Sequence, residues 1–188
     1  MEDESKNKVI NFFHDIYKDL KDDEVLTITT MAGKSKKMQV RHFYAKDLDK
    51  MIEAGINAGE KSNTYFNVNP LVPGIGEFAR GKADQVSSVV TLWADYDVFH
   101  PVAHKEQNLP KDDAVVLEHL QSLPIPPTYI IQSGYGVDPY WVLEKVDTTD
   151  EEARNSVFQD ITEFGQYLTD KAKEAGFCID NVFDPCRM

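Results

Sequence analysis

The amino-acid sequence predicts a mixed domain of helices and strands, α/β or α+β, on three observations. Residues 3–21 (DESKNKVINFFHDIYKDLK) put Val9, Phe12, Phe13, Ile16, Tyr17 and Leu20 on one helical face. Residues 24–30 (EVLTITT) and 37–44 (KMQVRHFY) carry strand-forming side chains on either side of the turn AGKSK. Beyond them, helical and strand patterns interleave to the end of the chain, with no internal repeat or low-complexity tract.

The remaining elements follow in order. Residues 47–59 read as a helix with Asp47 as its cap. Residues 63–71 (NTYFNVNPL) read as a strand of alternating faces, and 72–85 (VPGIGEFARGKADQ) as a Gly- and Pro-rich loop. Residues 86–97 form the most apolar strand. A short helix over 111–122 leads into the stiff connector LPIPP. Residues 128–133 and 138–146 read as strands joined by GYGV. A long helix covers 149–175, opened by the capping sequence TTDEEA, and 177–183 (FCIDNVF) read as a final short strand.

Bulk properties bound the function. A chain of 188 residues suffices for one sizeable domain or two small ones sharing a core. Its composition, 41% hydrophobic and 28% charged, is that of a soluble globular protein. No apolar run reaches the length of a membrane span, and the acidic start Met1-Glu2-Asp3-Glu4 does not suit a signal or transit peptide, so the default compartment is the cytoplasm. The net charge of −12 argues against a basic surface gripping duplex DNA, but leaves room for a local basic groove. Cys178 and Cys186 match no zinc spacing; buried free thiols are expected rather than a disulfide. The abrupt ending FDPCRM suggests a domain cut from a longer protein.

Three segments carry the chemistry. In TLWADYDVFH, residues 91–100, Asp95 and Asp97 stand two apart on a strand and so share a face, with Cα atoms roughly 7 Å apart. A divalent cation such as Mg²⁺ or Mn²⁺ relieves their repulsion and favours oxygen ligands; the bland alternative is a solvated strand end with salt-bridged aspartates. In IIQSGYGVDPYWVL, Gly134 and Gly136 let backbone N–H groups approach a phosphate, or simply make a hairpin turn. In CIDNVFDPCRM, Asp180 is a candidate ligand, whereas Asp184 before Pro185 is more simply a helix cap.

MAGKSKK is no phosphate-binding Walker loop, because Ile28 stands where that pattern needs glycine. Ser133 has no evident His/Asp partners for hydrolase chemistry, and His100 and His104 near the acidic strand read as structural or solvated. Arg41 and His42 on their strand also read as structural. Tyr65, Phe66, Tyr140 and Trp141 are candidates for base stacking, with core packing as the alternative for at least half.

Together LWADYDV, SGYGVDPYW and CID, in this order and spacing, resemble the archaeo-eukaryotic primase superfamily, in the primase-polymerase branch of phages, plasmids and other mobile elements. YFNVNP adds to the likeness, which spans residues 63–188. The resemblance implies an α+β fold: a mostly antiparallel, RNA-recognition-like catalytic sheet packed by helices (85–188), an N-terminal α/β module (1–84), and a metal site in the cleft between them. It implies a template-dependent nucleotidyltransferase, a DNA primase or polymerase. The implied cofactor is Mg²⁺ or Mn²⁺, with Asp95, Asp97 and Asp180 implied as its ligands and as the catalytic residues. The implied partners are nucleoside triphosphates and single-stranded or primed DNA, with further C-terminal domains or a helicase expected in the full protein. Ser133, Gly134, Gly136 and position 138 are implied as triphosphate contacts, with Arg80, Lys82 and, more weakly, Arg187 as cationic help.

One position departs from the family pattern: Asp138 stands where a histidine is usual. An ionised aspartate only accepts hydrogen bonds and repels phosphate, so reduced nucleotide binding is expected, with a gain on restoring histidine. Two other readings follow from the same residues: a catalytically weak nucleic-acid-binding module for replication initiation, and a metal-dependent nuclease or nucleotidase.

Overall fold

A computed structural model describes residues 2–32, 37–101, 104, 108–180 and 184–186. In chain order the elements are α1 (Glu2–Ile16), β1 (Val25–Ala32), β2 (Lys37–Tyr44), α2 (Leu48–Gly59), β3 (Asn63–Phe66), β4 (Ser88–Trp93), β5 (Tyr96–Asp97), α3 (Asp113–Ser122), β6 (Tyr129–Gln132), β7 (Gly136–Asp147) and α4 (Glu151–Glu174). The class is α+β, with antiparallel strands and four α-helices among the described residues. None of these helices is long and apolar enough to cross a membrane.

The residues group into two compact units. The first comprises Met1–Val90, Leu143–Arg154 and Asp184–Met188; the second comprises Thr91–Val142 and Asn155–Phe183. In the first unit, β1 and β2 form an antiparallel hairpin in register from Val25↔Tyr44 to Ala32↔Lys37, and β3 pairs with the other edge of β1. Helix α1 ends at Ile16, short of the helix expected to residue 21; Phe12, Phe13 and Ile16 on it and Tyr17 just after it are buried, Leu20 is half-buried, and Val9 is 38% exposed. Phe12 and Phe13 meet Phe66 of β3 edge-on. Below them lie Leu26, Ile28, Met51, Ile52, Val68 and Leu71, all buried.

A buried ionic network fastens this unit. Glu24, 3% exposed, accepts hydrogen bonds from the hydroxyls of Ser87 (2.8 Å) and Ser88 (2.7 Å) and pairs with Lys145 at the end of β7. Burial alone would raise the Glu24 carboxyl; the ammonium and hydrogen bonds outweigh it and hold the pKa below the ordinary value. The charge therefore stays on, joining the start of β1 to the chain around β4 and β7.

In the second unit, β7 is the central partner: it pairs with β4, with β5 (Tyr96↔Val137, Asp97↔Gly136) and with β6 (Tyr129↔Tyr140 to Gln132↔Val137). Its core joins Ala94, Tyr96, Val98, Val137 and Trp141 of the strands to Val116 and Leu120 of α3 and Leu168 and Ala172 of α4. Both helices are capped by aspartates, Asp112 accepting from the Val115 N–H at 3.1 Å and Asp150 from the Ala153 N–H at 2.9 Å.

Several expectations change. The strand expected over 63–71 stops at Phe66, and Leu71 makes only isolated bridges to Val25 and Val86. The strand expected over 86–97 breaks at Ala94–Asp95 into β4 and β5. Asp47 holds the cap position of α2 but its carboxylate pairs with Lys50 at 2.6 Å instead of capping. Residues 177–180 form no strand, and 181–183 lie outside the described residues. Among the described residues 184–186 no helix forms, and the Asp184 carboxylate accepts from the Cys186 N–H at 2.9 Å in a turn. Both cysteines are free, but only Cys186 is buried; Cys178 is exposed.

Candidate functional site

The second unit gathers carboxylates from three segments far apart in sequence. Residues 94–98 alternate strictly: Ala94, Tyr96 and Val98 are buried while Asp95 and Asp97 are half-buried. The apolar side chains face the core and so turn both carboxylates the other way, as the two-residue period requires. The break after β4 leaves this alternation intact because the Ala94 N–H bonds to the Pro139 carbonyl at 3.2 Å and β5 resumes on β7.

Gly136 is what lets β5 lie so close. A Cβ there would stand 2.8 Å from the Tyr96 carbonyl oxygen, so only glycine fits opposite Asp97. Two residues on, Asp138 is half-buried. Asp180 arrives on the coil after α4 and is exposed.

These carboxylates act on one another. Burial first, then the charges of Asp97 and Asp180, push the Asp95 carboxyl up to about 6, against a smaller opposing effect of His104. Burial first, then Asp95 and Asp97, push Asp138 up to about 7. At neutral pH the Asp138 carboxyl is thus partly protonated and able to donate a hydrogen bond. The sequence alone casts it only as an acceptor, because it does not show the desolvation.

Sequence reasoning set His104 aside, and the structure brings it in: Nδ1 lies 3.2 Å from Asp97 Oδ2. His100 and His104 exchange backbone hydrogen bonds (2.8 and 3.1 Å), and both rings lie beside Tyr135, at 4.9 and 6.2 Å between centroids. The four-residue spacing of the two histidines was the available signal.

The donor set is chemically suited to a hard divalent cation, being rich in carboxylate oxygen, with Asp95 and Asp138 held above their ordinary range by burial and then by like charge. Its spacing is looser than coordination: among the described residues, no group of three or more histidine, cysteine or acidic side chains is drawn closely enough to hold a metal ion.

The other expected contacts divide. Ser133 is exposed, and its hydroxyl and N–H both reach the Gly136 carbonyl (3.2 and 3.0 Å), closing the turn that contains Gly134. Arg80 belongs to the first unit, where Asn67, Arg80, Gly81, Asp184 and Cys186 line a pocket of about 400 Å³. Lys82 is exposed on the same loop. Arg187 lies outside the described residues. Of the candidates for base stacking, Tyr140 and Trp141 are buried, and Phe66 packs on α1. His42 bonds to the Ala79 carbonyl at 2.7 Å, and Arg41 lies over the Phe43 ring, consistent with structural roles.

Comparison with family models, with curated proteins and with solved structures finds no match for this chain.

Proposed function

We propose that the chain is the catalytic part of a template-dependent nucleotidyltransferase, a primase-polymerase that joins nucleoside triphosphates. The observation that carries this reading is the electrostatic convergence of Asp95, Asp97 and Asp180, with Asp138, from three segments whose motifs resemble those of the archaeo-eukaryotic primase superfamily. The antiparallel strands around β7, with α3 and α4 in their core, support an RNA-recognition-like reading of the second unit.

On this reading Asp95, Asp97 and Asp180 would hold Mg²⁺ or Mn²⁺ once drawn together, and the ion would supply charge neutralisation for the triphosphate. The protein's own residues bind and orient. The turn closed by Ser133 and Gly136 presents backbone to the triphosphate. Asp138 in its protonated form donates where the family's histidine would, and in its ionised form repels phosphate.

The test is extension of a labelled primer on a DNA template with Mn²⁺ or Mg²⁺. Template-dependent products with release of pyrophosphate are expected, absent in Asp95→Ala and increased in Asp138→His. Strand cleavage or phosphate release instead would identify a nuclease or nucleotidase. The loose spacing of the acidic groups favours a second reading, a weakly catalytic nucleic-acid-binding module; template binding without extension by any variant would establish it.

A further inference from the structure

We infer that Asn67 is a positioning residue, whose amide fixes the backbone of Arg80 at the pocket of the first unit. This rests on the reading of Arg80 as a phosphate contact.

Asn67 is 5% exposed and uses every polar group it has. Its side-chain carbonyl accepts from the Thr27 hydroxyl, and its backbone carbonyl accepts from the buried Tyr17 hydroxyl. Its two amide hydrogens go to two other segments: Nδ2 donates to the Arg80 carbonyl at 3.0 Å and to Cys186 Sγ at 3.2 Å. Both segments line the same pocket. Packing alone would be met by an apolar side chain of similar size; an amide is needed only to hold two chain segments together.

Two neighbours act with it. Gly81 has φ +87°, and a Cβ on it would stand 2.5 Å from Leu71 Cδ1 and 3.1 Å from Cys186 Sγ, so the loop has a single seat against Cys186. Asn69 repeats the arrangement two residues on: Nδ2 donates to the Pro185 carbonyl at 2.9 Å while Oδ1 accepts from the Val90 N–H at 2.8 Å. Asn67 and Asn69, flanking the fully buried Val68, thus clamp residues 80–81 and 184–186 around one opening. Asp184 on the rim spends part of its charge on the Cys186 N–H. With its backbone fixed, Arg80 meets an anion without first ordering the loop, which lowers the cost of binding.

The test is calorimetric titration of inorganic tripolyphosphate into the chain in the presence of EDTA, so that the carboxylates and any metal play no part. Binding by the wild type, lost in Arg80→Met, is expected. Asn67→Asp, which turns a donor into an acceptor facing the Arg80 carbonyl, should weaken it about tenfold or more. Gly81→Ala should weaken it similarly, and answers the same question if Asn67→Asp does not fold. A merely structural Asn67 would lower the melting temperature and leave the affinity of the folded protein unchanged. Wild-type affinity in folded Asn67→Asp and Gly81→Ala, with binding still lost in Arg80→Met, would overturn the inference while sparing the role of Arg80. No binding by the wild type would overturn both, leaving the carboxylate site to its own test.

Discussion

Asp138 carries two opposed consequences of a single environment. Its burial beside Asp95 and Asp97 holds the carboxyl near 7, above the ordinary 3.8. The folded protein therefore binds a proton that the unfolded chain has already lost. Stability from this group is fully present below about 4 and is lost as pH rises to about 7. Asp95, raised to about 6, acts in the same direction, whereas Glu24 is lowered and acts oppositely. Comparing wild type with Asp138→Asn isolates the first effect. The variant should be the more stable at pH 8, by on the order of 3 kcal/mol, with the gap closing toward pH 4. Chemical denaturation in EDTA at both values checks this; a gap that does not change with pH would show that Asp138 titrates normally.

The elements show which parts of the fold local sequence specifies. The apolar face of α1 and the β1–β2 hairpin were legible because each depends on neighbours three or four residues away, or directly across a turn, whereas the aspartate caps of α3 (Asp112) and α4 (Asp150) were not placed. The common facing of Asp95 and Asp97 was legible for the same reason. The break after β4 was not, since it depends on the Pro139 carbonyl, forty-odd residues on. Nor was the pairing of Asp47 with Lys50, where two favourable local uses of one carboxylate compete. The Glu24 network is likewise non-local, and it predicts a large effect. Lys145→Met leaves the buried Glu24 charge without its cation and should cost about 3–5 kcal/mol, whereas Met fills much the same space. Urea denaturation measures it; a loss near 1 kcal/mol or less would place the pair in effective contact with water.

For the whole molecule, the sequence made the acidic segments visible but not their mutual distances. The order of LWADYDV, SGYGVDPYW and CID suggests one site; within the second unit Asp95 feels the charges of Asp97 and Asp180, and Asp138 those of Asp95 and Asp97. The pairing of His104 with Asp97 and the loose spacing of the carboxylates emerge only in three dimensions. A chain of net charge −12 gains little non-specific affinity for DNA, so the proposed function has to rest on specific metal and nucleotide chemistry. The most direct test is calorimetric titration of a deoxynucleoside triphosphate with and without Mn²⁺ into wild type and Asp95→Ala. The account predicts binding by the wild type that requires Mn²⁺ and disappears in Asp95→Ala. Mn²⁺-independent binding, or equal binding by the two proteins, would contradict it.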